Sequence, residues 1–152
     1  MRALHSADPD RLAYRLALAR ILQQAGNVKS ALNLYRDSLS LYPGESIIVM
    51  PYANALMAAG ENQQAFTLLA DLSRTSANDP AIHKLLAQAA GKTGRTLETH
   101  MAMADYYFLN GYTKQALEQL QLARKSPRLS DYQAARIQAR LTTLEKQLKD
   151  NN

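Results

Sequence analysis

Residues 18–35, LARILQQAGNVKSALNLY, read as two helices joined by a tight turn. Apolar residues recur at helical spacing on both sides of the turn, and glycine is the residue that most often follows the end of a helix. The same arrangement returns in residues 52–69, YANALMAAGENQQAFTLL, so the turn glycines of the two stretches are Gly26 and Gly60. Their spacing of about 34 residues is the period of a repeat protein built of helical hairpins.

Small and large residues occupy matching places in the first two units, 12–45 and 46–79. Small residues let the two helices of a hairpin approach closely, and large residues fill the gaps between neighbouring helices. This pattern resembles the tetratricopeptide repeat, a helix–turn–helix unit of about 34 residues. With the turn glycine at position 15, the residues at positions 8, 11, 20 and 24 are Ala19, Leu22, Ala31 and Tyr35, then Ala53, Leu56, Ala65 and Leu69.

The next two turn glycines break the period. Gly94 follows Gly60 after one full period, whereas Gly111 follows Gly94 after only half a period. The helix between Gly94 and Gly111 is therefore expected to be the second helix of one hairpin and the first helix of the next. This places a half-repeat step near residues 95–111. The units that follow are a partial repeat at 80–96, a full repeat at 97–130 and a terminal helix at 130–149.

The sequence predicts an all-α fold, a right-handed superhelix of about eight antiparallel helices. No stretch alternates as an exposed strand does, and the β-branched run SIIVM at 46–50 leads directly into a helical pattern. Residues 1–9 are assigned to an N-terminal tail and residues 10–149 to a single domain. Helices are expected at 10–25, 28–41, 46–59, 62–75, 80–92, 95–110, 113–126 and 130–149.

Catalysis by this chain is not expected. It has no cysteine, no H-E-x-x-H, no phosphate-binding glycine loop and no G-x-S-x-G. The histidines His5, His83 and His100 lack the local spacing of a metal site. The stretch GKTG at 91–94 follows a helix, so it is read as a helix end and turn. The chain is therefore predicted to be no enzyme and to hold no cofactor.

The net charge of +5 is concentrated at the C-terminal end. Residues 112–152 contain eight Lys or Arg and four Asp or Glu, so +4 of the total lies there. A basic end can serve an acidic partner or a nucleic acid, although a solvated helix face is the commoner meaning. No nucleic-acid-binding motif accompanies it, so no nucleic-acid partner is expected. No run of 18 apolar residues predicts a membrane span.

The resemblance to tetratricopeptide arrays implies a groove lined by the first helix of each unit. In this sequence the implied lining includes Ala13, Leu16 and Ile47. The aromatic residues beside Phe108 are expected in the core. Alternatively, Met50 and Met57 only pack between units. The predicted partner-binding residues are Arg20, Gln23, Met50, Asn54, Met57, Lys84, Gln88 and, in the shifted unit, Phe108.

The second half of the chain resembles one family more narrowly. The stretches are LLAQAAGKTG at 85–94, ADYYFLNG at 104–111 and YQAARIQARL at 132–141. They are similar to the C-terminal tetratricopeptide domain of the beta-barrel assembly-enhancing protease family, periplasmic zinc metallopeptidases. The resemblance implies that the zinc and the H-E-x-x-H domain lie outside this chain. It also implies three protein partners: the family's own protease domain, unfolded or stalled outer-membrane proteins, and the barrel-assembly complex.

Two functions are therefore expected. The first is an interaction domain that presents polypeptide substrates or assembly partners to an attached periplasmic metallopeptidase. In this function the surface from Arg20 to Lys92 takes the peptide, and the basic C-terminal segment docks a neighbouring domain. The alternative is a tetratricopeptide scaffold from another bacterial envelope or secretion complex.

Overall fold

The computed structural model describes residues 9–150, and over these residues the chain is all-α, with no strand. Every predicted helix is confirmed within two residues at each end, including the helix that begins with SIIVM. The predicted tail at 1–9 lies, apart from Pro9, outside the described residues. The eight helices of the described part are α1 (Pro9–Gln24), α2 (Val28–Leu41), α3 (Ser46–Ala58), α4 (Asn62–Thr75), α5 (Pro80–Lys92), α6 (Thr96–Leu109), α7 (Thr113–Arg124) and α8 (Asp131–Asp150).

The four turn glycines form the same helix ending. Each has a positive φ, between 72° and 85°, a left-handed conformation that glycine adopts without steric cost. The residue after each glycine donates its N–H to the carbonyl five residues earlier, which completes a Schellman ending. These hydrogen bonds, of 2.8–2.9 Å, join Asn27 to Leu22, Glu61 to Leu56, Arg95 to Ala90 and Tyr112 to Tyr107. The turn at Gly111 is thus a hairpin turn like the other three, as its early position predicted.

The described chain divides into two compact units, and the boundary between Leu68 and Leu69 falls inside α4. In the first unit α2 packs against both α1 and α3. The four alanines predicted at the close helix contacts are all fully buried: Ala19, Ala31, Ala53 and Ala65. Between them Tyr35 of α2 and Tyr52 of α3 stack, with ring centroids 5.9 Å apart. This stacked pair joins the first repeat to the start of the second.

In the second unit α6 packs against both α5 and α7, and α7 packs against α8. The predicted double role of α6 is therefore confirmed at the level of helix contacts. Its residue Ala104 belongs to a buried cluster shared with α7 and α8. The cluster consists of Ala104, Ala116, Leu120, Ala123, Ile137, Leu141 and Leu144. This apolar core holds the last three helices of the chain together.

One departure from the repeat pattern is compensated on the facing helix. Thr99 of α6 stands where the other hairpins have a buried alanine. Opposite it, α5 carries Gly91, and a Cβ at Gly91 would lie 3.8 Å from the Thr99 hydroxyl oxygen. The larger side chain thus faces the residue with no side chain, and a Cβ at Gly91 would still meet it at an ordinary contact distance.

Candidate functional site

The first unit contains a groove between α1 and α3, with α2 beneath it. We call this the first groove; its cavity has a volume of about 250 Å³. Positions three and four residues apart on a helix share one face, which is how Ala13, Leu16 and Arg20 come to form one wall. The full lining is Ala13, Leu16, Ala17, Arg20, Tyr35, Ile47 and Pro51. Four of these seven, Ala13, Leu16, Arg20 and Ile47, are positions at which the repeat pattern placed the groove.

The first groove combines an apolar lining with one positive charge. Tyr35 lies in it and is 2% exposed. Burial raises the pKa of the Tyr35 phenol, and the positive charge of Arg20 partly opposes this rise. The phenol therefore stays neutral at physiological pH, while the exposed Arg20 contributes a guanidinium with several donors. Such a groove suits apolar side chains that lie next to a carbonyl or carboxylate oxygen.

Pro51 removes one backbone hydrogen bond from the helix that forms the opposite wall of the first groove. It lies inside α3 and has no N–H, so the Ile47 carbonyl lacks the donor that a helix normally supplies four residues later. Both residues line the cavity, and the Ile47 side chain is 61% exposed. The groove thus has a hydrogen-bond donor on α1, and its α3 wall includes a residue whose carbonyl lacks the usual helical donor.

The other candidates in the first unit lie outside this cavity. Asn54 is exposed on α3, whereas Gln23 and Met50 are half-buried. Met57 is only 9% exposed, which fits the alternative that it packs between helices. Their part in binding stays a prediction.

Sequence reasoning missed three residues that line the first groove. Tyr35 was assigned only to packing. Ala17 and Pro51 were not considered, although both stand at position 6 of their units. This shared position, between predicted groove positions 5 and 9, could have indicated both.

The second unit contains a separate groove between α6 and α8, which we call the second groove. It consists of two adjoining cavities of about 280 and 250 Å³, and Arg140 lines both. The first cavity is lined by Phe108, Ala139, Arg140, Thr143 and Leu144. The second is lined by Leu97, Glu98, Met101, Asp105, Gln133, Arg136, Ile137 and Arg140. Of the predicted binding residues, Phe108 lies here and is 44% exposed.

Lys84 and Gln88, the remaining candidates, are exposed on α5. The Lys84 amino group lies 5.6 Å from the centre of the Tyr106 ring, a cation–π contact between α5 and α6. Neither residue lines the second groove. The structure therefore places Arg20 in the first groove and Phe108 in the second, and leaves the other six predicted residues outside both.

The two histidines within residues 9–150, His83 and His100, have structural partners. His83 is 6% exposed, and its Nε2 lies 2.8 Å from the Ala77 carbonyl oxygen, so Nε2 carries the proton and donates it. Its Nδ1 faces the Asp105 carboxylate at 3.7 Å, and the same carboxylate accepts a hydrogen bond from Arg140 at 2.5 Å. His100 contacts Gln119 instead, with 2.9 Å between Nδ1 and Oε1. The two histidines thus have different partners.

Neither a metal site nor a membrane span emerges from residues 9–150. Within this range no three His, Cys, Asp or Glu residues are grouped so that they could hold a metal ion. None of the helices described in this range combines the length and the apolar character that crossing a membrane requires.

Comparisons with known proteins agree with the repeat. Residues 22–89 match the tetratricopeptide repeat family. No curated protein is significantly similar to the chain in sequence. Similar solved folds include the MamA RS-1 ArsTM double mutant, with a TM-score of 0.61 and 18% identity over 95% of this chain and 79% of that one. The RS-1 strain is Desulfovibrio magneticus.

Two further structures share the fold. PcrH from Pseudomonas aeruginosa, in complex with the chaperone binding region of PopD, has a TM-score of 0.58 and 17% identity over 95% of this chain and 98% of that one. The Yersinia enterocolitica type III secretion translocator chaperone SycD has a TM-score of 0.60 and 16% identity over 92% and 94%. The repeat predicted from the turn glycines is thereby confirmed: residues 22–89 are a tetratricopeptide-repeat segment, and the described chain has the all-α fold of tetratricopeptide-repeat proteins.

Proposed function

We propose that this chain is a protein–protein interaction module that holds an extended polypeptide segment in the first groove. The observation that carries the proposal is the exposed Arg20 guanidinium on the wall of an apolar cavity. Arg20 supplies a hydrogen-bond donor, and we propose that the Ile47 carbonyl, which receives no N–H from Pro51, accepts from the bound segment. An extended peptide presents carbonyls, N–H groups and side chains in regular succession, so it matches this combination.

The PcrH complex supports this proposal. PcrH shares the fold and is bound there to the chaperone binding region of another protein, PopD. We therefore propose a segment of a partner protein as the occupant of the first groove. A cavity of about 250 Å³ suits single side chains of an extended segment better than a folded surface.

Peptide titration tests the function. Fluorescein-labelled peptides of alternating apolar and polar residues would be titrated with the chain and with three variants. Arg20→Glu removes the donor, and Ala17→Trp fills the cavity; each should weaken binding by about tenfold or more. Lys29→Glu makes the same charge change at an exposed position of α2 outside the groove and should bind normally. Equal affinity of all four proteins would refute the function.

We further propose that this interaction module belongs to a longer protein that also contains an enzyme domain. In it the module serves a periplasmic zinc metallopeptidase of the beta-barrel assembly-enhancing family and presents unfolded or stalled outer-membrane proteins to it. The support is the resemblance of the stretches at 85–94, 104–111 and 132–141. Its test is the open reading frame, which should also encode H-E-x-x-H. A frame without that motif contradicts this further proposal and leaves peptide binding in place.

The alternative is a scaffold of a secretion or envelope complex. The fold similarity to the translocator chaperone SycD supports it. Affinity capture from the native organism separates the two: a protease and outer-membrane proteins favour the first, and secretion components favour the second.

A further inference from the structure

The lining of the first groove carries charge of one sign only. Arg20 is the single charged residue among the seven that line the cavity, and none of the seven is acidic. Within residues 10–150 Arg20 forms no ion pair, so its exposed guanidinium is free for a bound partner. The three helices around the cavity, α1, α2 and α3, contain five Lys or Arg and two Asp or Glu, a net charge of +3. The first groove is therefore complementary to a negative charge.

The positive charge of Arg20 also acts at the floor of the first groove. Burial raises the pKa of the Tyr35 phenol, and the charge of Arg20 partly opposes this rise. The field of the guanidinium thus reaches a buried group inside the groove and favours an anion there. A carboxylate is the anion that matches a guanidinium best, because its two oxygens accept two parallel N–H bonds.

The apolar part of the α1 wall lies one helical turn from the charge. Leu16 and Ala17 precede Arg20 by four and three residues on one face of the helix, which is about 5 Å along the helix axis. In an extended segment, side chains that face the same way are two residues and about 6.6 Å apart. A segment that lies along α1 therefore brings an apolar side chain to Leu16 and Ala17 and a carboxylate to Arg20 when the two are separated by one residue.

The cavity is large enough for an aromatic side chain. A buried cavity of about 150 Å³ can hold a benzene ring, and the first groove has a cavity of about 250 Å³. The apolar side chain of the segment can therefore be as large as phenylalanine.

We propose that the first groove selects an extended segment in which an acidic residue and a large apolar residue stand two positions apart. The apolar side chain fills the cavity beside Leu16 and Ala17, and the Asp or Glu carboxylate pairs with Arg20. The carboxylate belongs to a side chain rather than to a chain end, because it faces the groove from the same side of the segment as the apolar residue. This inference rests on the proposed function and adds the charge and the spacing of the segment.

Fluorescein-labelled peptides with blocked ends test the charge and the spacing. Two of them carry Phe-Ser-Glu or Glu-Ser-Phe between Gly-Ser flanks, because the segment can run in either direction along α1. At least one of these should bind about tenfold more tightly than its Gln counterpart, and about tenfold more tightly than the isomer in which Phe and Glu are adjacent. The isomer has the same composition and charge, so it controls for general attraction. The preference for Glu over Gln should shrink as salt is added.

Variants of Arg20 locate the carboxylate. Arg20→Gln should bind the Glu and Gln peptides equally, and Arg20→Glu should prefer a peptide with Lys in place of Glu by about tenfold. Lys29→Glu, the matched charge change on α2 outside the groove, should keep the preference for Glu. Arg20 is exposed, so neither change removes a core contact. A preference for Glu that survives in Arg20→Gln would refute the pairing, whether or not Arg20→Glu folds.

The remaining outcomes separate this inference from the proposed function. Equal binding of the Glu, Gln and isomeric peptides would overturn the inference and leave peptide binding in place. Absence of binding by these peptides and by neutral peptides alike would refute both. A free chain-terminal carboxylate that binds as tightly as the Glu side chain would show capture of a chain end, and displacement of the probe by single-stranded DNA would show a nucleic-acid surface; either result overturns the proposal.

Discussion

Gly91 and Gly111 have opposite conformational requirements. Gly91 lies within α5 without a positive φ, and a Cβ there would make an ordinary contact with Thr99. Gly111 has φ 79° and open space around it, so glycine is favoured there only by the left-handed backbone conformation and not by lack of space. Gly91→Ala should therefore stabilise the fold by about 0.5 kcal/mol through helix propensity, and Gly111→Ala should destabilise it by about 1 kcal/mol. Urea unfolding measures both changes.

The control for this pair is Gly60→Ala. Gly60 has φ 85° and equally open surroundings, so it should behave like Gly111. If Gly111→Ala matched Gly91→Ala instead, the turn at 111 would not be a true hairpin ending, and the half-repeat step would lose its structural basis.

Tyr35 should make the stability of the fold sensitive to alkaline pH. Its pKa in the folded protein is raised by burial above the ordinary value of about 10. The stabilising effect is complete below the unfolded pKa and is lost as pH rises through the folded pKa, because only the unfolded state then loses the proton readily. The thermal unfolding midpoint Tm of the native chain should therefore fall more steeply above pH 10 than the Tm of Tyr35→Phe.

The two proteins should unfold alike at neutral pH, where the phenol is protonated in both states. Tyr14→Phe is the control, since Tyr14 is 70% exposed. A Tyr35→Phe curve that runs parallel to the native curve up to high pH would contradict the burial argument.

Among the helices, α3 carries a local defect that serves the first groove. Pro51 removes one helical hydrogen bond and frees the Ile47 carbonyl. Pro51→Ala restores the donor and should raise the free energy of unfolding by about 1–3 kcal/mol. The same change should weaken peptide binding in the first groove, because the acceptor is then occupied. Paired denaturation and titration experiments measure the two effects.

Pro43→Ala is the matched control, because Pro43 lies between α2 and α3 outside any helix. It should change stability and binding little. If Pro51→Ala bound peptide as tightly as the native chain, the Ile47 carbonyl would have no part in recognition.

Helix positions were predictable from the sequence because they depend on local residues. Turn glycines end helices wherever they stand, so the early Gly111 revealed the double role of α6. The second groove was not predictable in the same way. It depends on α6 meeting α8, and its Asp105–Arg140 pair joins residues 35 positions apart. No periodicity in one sequence reports such a pairing, so only Phe108 was anticipated there.

The first groove illustrates the same limit. Its α1 wall follows from helical spacing, and three of its residues were expected. The participation of Tyr35 depends on how deeply α2 lies beneath α1 and α3, which side-chain packing decides. The freed acceptor at Ile47 depends on the proline four residues later. That residue was visible in the sequence, but its consequence becomes clear only when both residues are seen to line one cavity.

At the scale of the whole molecule, the described chain divides into two compact units, and the second contains the buried cluster of α6, α7 and α8. In repeat proteins the stability of each part depends mainly on its nearest neighbours. Leu141 is 1% exposed in the core of α6, α7 and α8. Leu141→Ala should lower the free energy of unfolding by about 2–5 kcal/mol, the usual range for truncation of a buried leucine. Amide hydrogen exchange should therefore accelerate strongly in α6–α8 and remain nearly unchanged in α1 and α2.

The control is Leu122→Ala, since Leu122 is 42% exposed and lies outside this core; its exchange pattern should match the native one. An equal acceleration in both units after Leu141→Ala would show one cooperative fold and contradict the nearest-neighbour argument. A response confined to the second unit has a functional consequence: mutations that disturb the second groove would leave the first groove intact. The two grooves could then change independently within one repeat protein, because each lies in its own compact unit.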